Sequence, residues 1–300
     1  MLTTRRLVFN PLLSKELRTR LRSRYSLTVV TLDLLVVGAV AIVFLLQHRG
    51  LDSGQSQIDG SQLFEALAVF QLCLILFAVP ASMASTISGE RQRQTWDLLW
   101  ITHLSSFEIV WAKLLAGLAI NVLLLSAALP LFATVFLLGG VTTMDVVHTY
   151  LVFLATILLL SALSMLVSVV NSRPIVCVII SNAISVALGL GLSLIVVFAE
   201  SGQQVTAFSD FSQFTSLTQA TSPLPPVAQI DPLVALLSVL PTGHGGTVLG
   251  NLGTVHHAFG LPLQLPLWSS FGLCALVVSI LLLGLSTLFV RRRASWLGTQ

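Results

Sequence analysis

Charge is what this chain has least of. Asp, Glu, Lys and Arg make up 9% of its 300 residues, hydrophobic residues make up 55%, and the mean hydropathy is +0.94. A soluble domain carries about 25% charged residues, so there are too few here to cover a water-exposed surface. That excludes a soluble enzyme or binding module and indicates an integral membrane protein. Lysine is nearly missing: Lys15 and Lys113 are the two, and neither follows a glycine. A phosphate-binding loop needs Gly-Lys-Ser/Thr, so the chain has no such loop for ATP. His-Glu-x-x-His and Gly-x-Ser-x-Gly are absent too, which removes the zinc-protease helix and the serine nucleophile elbow. Cys73, Cys177 and Cys274 are odd in number, lack metal-ligand spacing and each sit in an apolar run. They read as small packing residues rather than a disulfide framework or a metal site. Once the basic residues at the ends of apolar runs are set aside, no continuous basic face is left for nucleic acid.

What is present is long apolar runs. About 20 apolar residues at ~1.5 Å rise cover a ~30 Å hydrocarbon core. Six runs meet that length, at about 26–46, 63–87, 109–138, 150–170, 175–198 and 267–290. The fold class is therefore all-α: a polytopic membrane protein with one transmembrane domain over residues 1–300. No small-residue cleavage site follows the first run, so it reads as an anchor and not a removed signal peptide. Ahead of it, Asn10 can cap a helix and Pro11 suits its first turn. Leu13, Leu17 and Leu21 then recur every four residues while Lys15, Arg18 and Arg22 point mostly elsewhere. This predicts a short amphipathic helix on the membrane surface. With the N-terminus in the cytoplasm, every Lys and Arg except Arg49 falls on the inner side. The positive-inside rule accordingly places both termini in the cytoplasm.

Polar residues inside the runs are few enough to take singly. Asp33 lies within the first. An Asp at mid-membrane costs roughly 2.5–3.5 kcal/mol on insertion scales, so it should face protein or water. It is either a point on a substrate path or a helix contact, with a neighbouring Ser or Thr as the favoured partner. Pro80 predicts a kink in the second run, and the third run carries Pro130 through to residue 138. Gly139-Gly140 ends the third run, and a short loop with Asp145 and His148 is expected after it. In the fifth run Ser181, Ser185, Gly189 and Ser193 fall at intervals of four, a face that lets another helix approach closely, within the chain or between two copies. Residues 199–266 read as a long extracytoplasmic loop without Lys or Arg, holding seven of the eleven prolines. Within it Asp231-Pro232 and the apolar run to Leu240 predict a capped short helix, too short to span and hence interfacial or re-entrant. His244, His256 and His257 share the loop without helical His-x-x-x-His spacing. They leave a metalloenzyme as a minor alternative, and no metal site is expected. Arg291-Arg292-Arg293 should close the last span.

The segment 88–108 stands apart as the densest charged and aromatic stretch. Glu90, Arg91 and Arg93 come first; Trp96, Leu99, Trp100 and Leu104 then share one helical face, with Asp97 elsewhere. Trp96 and Trp100 are one turn apart and suit a membrane interface. Ser105 and Glu108 have capping-box spacing, so the third span should begin there, with Lys113 reaching back toward the interface. On the residues alone, a docking element for a motor protein and an ordinary interfacial helix stand level.

From Glu90 to Lys113 the chain resembles the permease subunits of ATP-binding-cassette (ABC) transporters of the type-2 exporter class. Glu90, Arg91, Thr95, Leu98, Leu99, Thr102, Leu104, Ser105, Ile109 and Lys113 match that family's segment after the second span. Gln94, Trp96, Asp97, His103 and Ala112 depart from it, Asp97 keeping the charge. Asn10-Pro11 to Arg18 and Asp231-Pro232 with its Leu/Ala run are similar to two further family segments. The resemblance implies a permease in the cell membrane that forms an export path. It makes 88–108 the coupling segment, with Glu90, Arg91, Arg93, Thr95, Trp96, Asp97, Leu99 and Trp100 as contacts to a cytoplasmic ABC ATPase. It also implies a permease homodimer or heterodimer, and no catalysis or cofactor on this chain, since ATP and Mg would sit on the partner. The alternative is a membrane anchor or assembly factor that transports nothing.

Overall fold

A computed structural model of the full chain describes residues 24–49, 60–92, 106–191, 229–242, 246–247, 254–255 and 265–297. The architecture is all-α. The helices are α1 (Arg24–Arg49), α2 (Gly60–Met83), α3 (Ser88–Gln92), α4 (Ser106–Ala127), α5 (Leu129–Val135), α6 (Thr143–Val170), α7 (Pro174–Val186), α8 (Pro232–Leu237) and α9 (Leu267–Leu297). A π-helical turn, Ala187–Gly191, extends α7. Four two-residue strands form two antiparallel pairs, Pro241–Thr242 with Gly246–Thr247 and Thr254–Val255 with Leu265–Pro266. Six helical stretches are long and apolar enough to cross a membrane: 27–46, 60–92, 107–135, 143–170, 174–191 and 267–290.

Helix α6 is the hub, packing on α2, α4, α7, α8 and α9. Of its most apolar window 72% is buried, against 17% for α1. On α1 only Asp33 and Val37 are buried among the described side chains, one turn apart, so that helix meets the bundle along a narrow seam. Its opposite face carries exposed Leu27, Leu35 and Ile42, which is the composition lipid favours.

Three boundaries differ from the sequence expectation. Asp145 and His148 are not in a loop, because α6 begins at Thr143. Thr142 and Asp145 form a capping box: the Asp145 amide donates to Thr142 Oγ1 (3.3 Å) and the Thr142 amide to Asp145 Oδ2 (2.9 Å). Gly139 (φ 77°) and Gly140 (φ 86°) make the turn before it in a left-handed conformation that side chains with a Cβ resist. The third span breaks at Ala128 rather than running straight through Pro130. The last helix does not stop at the arginine triplet but continues to Leu297; arginine is a good helix former, so the charges end the apolar run without ending the helix.

Pro80 explains how α7 docks. Proline has no N–H, so the carbonyl four residues back, Leu76, loses its helical donor. The Ser185 hydroxyl on α7 donates to that carbonyl at 2.7 Å, across a separation of 109 residues. One turn on, a Cβ at Gly189 would collide with the Leu76 side chain. The stripe of small residues therefore packs within the chain, on α2; Ser193 lies outside the described residues. Ser185→Ala should cost about 1–3 kcal/mol, the range for a buried acceptor left unmatched. Unfolding of the purified variant in detergent measures it, and Ser185→Thr, which keeps the hydroxyl but adds a methyl, separates the bond from the packing.

The predicted short helix after Asp231 is present, as α8. Asp231 caps it, Oδ1 accepting from the Leu233 amide at 2.8 Å. It does not lie flat at an interface with one face in water: every residue from Asp231 to Leu240 is buried. Helix α8 packs on α2, α6, α9 and the π turn. Since α7 starts where α6 ends, the π turn and α8 lie at the end of the bundle where α6 and α9 begin.

Candidate functional site

At the other end of the bundle, α2 gives way to α3 through a turn at Ala84–Ile87. A helix start leaves its first amides without intrahelical acceptors. Here the Ile87 and Ser88 amides both donate to Ser168 Oγ, each at 3.0 Å. Ser168 belongs to the last turn of α6, so one helix caps another. The service is returned. The last carbonyls of α6 also lack helical donors, and Arg91 Nη1 donates to Val169 O at 2.8 Å. A guanidinium at a helix C-terminus also meets the negative end of the helix dipole. The two helix ends are clasped reciprocally by Ser168 and Arg91.

Glu90 ties the same short helix to a second span. Lys113 Nζ lies 2.6 Å from Glu90 Oε1; Lys113 is 1% exposed and the Glu90 side chain 26%. Lys113, expected to reach back toward the interface, ends on the Glu90 carboxylate at this end of the bundle. An apolar layer of Ile87, Ile109, Val110, Met165, Val169 and Val290 seals the clasp from one side. The Phe107 and Trp111 rings stack one turn apart on α4 (5.8 Å, 13°). Residues 88–92 are thus held to α4 by an ion pair and to α6 by backbone capping. The geometry suits transmission of force: displacing α3 must carry two long helices with it or break buried polar contacts.

Of the residues the sequence pointed to, the structure brings Glu90 and Arg91 into this knot. Arg93, Thr95, Trp96, Asp97, Leu99 and Trp100 lie outside the described residues, as do Lys15, Arg18, Arg22, Ser105 and the histidines at 244, 256 and 257. Asp33 lies elsewhere, in the middle of the bundle. Its partner is Gln71, whose Nε2 donates to Asp33 Oδ1 at 3.4 Å, and not the Ser or Thr expected. Ser168 and Gln71 were missed. Gln71 had a signal, as an amide inside the apolar run of the second span. Ser168 had none, because a serine in a helix also satisfies itself on its own backbone, as Ser164 does on Leu160 O (2.7 Å).

The family model described as ABC-2 family transporter protein matches residues 11–293. The chain belongs to the ABC-2 transporter family. It is a permease subunit of an ABC transporter and a multi-pass membrane protein. ABC-2 permeases are membrane components of transport that pair in general with an ABC ATPase and are generally non-catalytic. No curated protein matches this chain in a sequence comparison. Seen in this ABC-2 permease, the knot at Glu90, Arg91 and Lys113 occupies the point where the second span hands over to the segment that reaches the third.

Proposed function

We propose that this ABC-2 permease forms an export path across the cell membrane and is driven by a separate cytoplasmic ATPase that pushes on residues 88–108. The observation that carries the reading is the double attachment of α3, by Glu90–Lys113 to α4 and by Arg91 and Ser168 to α6. Force applied just beyond Gln92 passes to both spans. In this reading Glu90 and Arg91 brace the hairpin, while Arg93, Thr95, Trp96, Asp97, Leu99 and Trp100 meet the ATPase. ATP and Mg bind the ATPase. Both termini face the cytoplasm, as the positive-inside distribution favours, with Lys15, Arg18 and Arg22 on the inner leaflet. Two permease chains, identical or different, make one transporter.

The test is to reconstitute the permease with its ATPase in vesicles and replace Glu90 and Arg91 together by alanine. The expected result is an ATPase that still copurifies while cargo-stimulated ATP hydrolysis falls about tenfold, a loss of 1.4 kcal/mol of coupling. Unchanged stimulation would remove the bracing role. Failure of the wild-type chain to recover any ATPase from native membranes in mild detergent would favour the anchor or assembly-factor reading instead.

A further inference from the structure

The segment between Gln92 and Ser106 joins the second span to the third, so a push on it can either move the two together or spread them apart. Their contacts decide which. On α4, Lys113, Gly117 and Asn121 fall at intervals of four and share one face. Each meets the stretch from α2 to α3. Lys113 holds Glu90. Gly117 lies so close to Met83 that a Cβ there would collide with the thioether sulfur. Ser82 Oγ, 2.9 Å from the Val79 carbonyl, lies 3.2 Å from Asn121 Oδ1, and Asn121 is 2% exposed.

The chemistry at these three levels suits a seam that stays shut. In lipid, hydrophobic burial does not hold helices together; close packing at small residues and interhelical hydrogen bonds do. Gly117 supplies the first, letting the α4 backbone approach α2, and Asn121 supplies the second. Parting the helices would take Glu90 from a buried ammonium and Ser82 from a buried amide. The far end is tied as well. Phe64 on α2 meets Phe132 on α5 edge to face (5.6 Å, 82°), and a Cβ at Gly60 would collide with the Gly139 carbonyl. The second and third spans thus touch both at the end that carries α3 and at the end that carries Gly60.

We propose that α2, α3, α4 and α5 pass through the transport cycle as one lever, and that Gly117 and Asn121 are the positioning residues that keep it whole. The proposal deepens the motor reading and rests on it: it says what a push on residues 88–108 moves. Load entering beyond Gln92 reaches Glu90 and Lys113 first. The seam behind them turns it into displacement of both spans instead of a splay between them, and the switch between states takes place at their seams with other helices.

A disulfide lock tests it in the full-length permease assembled with its ATPase in nanodiscs. Cys73, Cys177 and Cys274 are replaced by alanine, and Met83→Cys is combined with Gly117→Cys. Met83 Cγ stands 3.6 Å from where a Cβ on Gly117 would lie, so two cysteine sulfurs come within bonding reach. The quantity read is ATP hydrolysis above that of the ATPase alone, with the cysteine-free complex as the control for the oxidant. Closed with copper–phenanthroline, the lock should leave hydrolysis within about twofold of the dithiothreitol-reduced form, below the roughly 5–150-fold range of allosteric coupling. Gly117→Leu, which pries the seam, should cut it about tenfold while as much ATPase copurifies, and adding Met83→Ala should restore it. A larger loss on oxidation that dithiothreitol reverses, or Gly117→Leu at the wild-type rate, would overturn the proposal. The lock brings in no bulky group, so it decides even where Gly117→Leu fails to assemble. The Glu90 and Arg91 alanine pair, run alongside, reads the motor. If it uncouples while the lock stalls the complex, the lever fails alone; if it leaves hydrolysis unchanged, the motor reading falls and the lever with it.

Discussion

Lys113→Met should destabilise the folded permease by about 3–5 kcal/mol, the range for removing one partner of a buried ion pair. The lysine is 1% exposed and fills a space at the start of α4 that methionine also fills, so volume is kept and charge is the variable. What is lost is the ammonium at 2.6 Å from Glu90, leaving a largely buried carboxylate without that partner. The 26% exposure of Glu90 lets some water in and favours the lower end of the range. Chemical unfolding in detergent micelles reads the loss. The double variant Lys113→Met with Glu90→Gln should regain most of it, because a neutral amide no longer needs the cation. If Lys113→Met alone stays within about 0.5 kcal/mol of wild type, as a surface substitution would, the pair does not brace α3.

Ser168→Ala is the second large effect, about 2–5 kcal/mol. A single hydroxyl oxygen accepts two buried backbone amides, Ile87 and Ser88, and each unmatched buried donor costs about 1–3 kcal/mol. The loss should be local first. Amide exchange at Ile87 and Ser88 should accelerate while exchange in the middle of α6 stays slow. Ser164→Ala is the matched control: it is equally buried on the same helix but among the described residues bonds the Leu160 carbonyl of its own helix, which keeps its helical donor. That variant should cost under about 1 kcal/mol. Similar losses and similar exchange for the two serines would show that Ser168 caps nothing.

Much of this fold could be read from composition and run length, because lipid admits few alternatives to the helix. Hydropathy marks where hydrocarbon begins, and it placed the six runs, but it does not mark where hydrogen bonding begins. The capping box at Thr142 and Asp145 lies before the fourth apolar run, so α6 starts seven residues sooner than its apolar stretch. The arginine triplet ends an apolar run without ending a helix. The site was legible in part. Glu90 and Arg91 stand out by charge in an oily chain. Their partners do not: Val169 contributes a carbonyl and Ser168 a hydroxyl, and helix ends attract such partners through geometry that sequence spacing cannot report across about 80 residues. Asp33 was visible as a cost awaiting repayment, yet naming Gln71 required knowing that α1 and α2 lie side by side.

The clasp and the Asp33–Gln71 contact divide the bundle. Helix α6 collects contacts from five helices, α3 hangs on it, and α1 touches chiefly α2 and α4. In the coupling reading, motion delivered at Arg91 passes to α6 and its neighbours, while α1 is the least buried of the six spans. The Asp33–Gln71 contact is the polar tie across that seam.

The Leu76 carbonyl has a consequence for how the protein is made. Its donor, the Ser185 hydroxyl, is synthesised 109 residues later. At about 5–20 residues per second, the second span waits roughly 5–20 s in the membrane with an open carbonyl beside Pro80. Only when the fifth span inserts and slides Gly189 past the Leu76 side chain is that helix complete. Biogenesis of the first hairpin thus ends with the fifth helix, and a chain halted between Pro80 and Ser185 lacks the donor for that carbonyl.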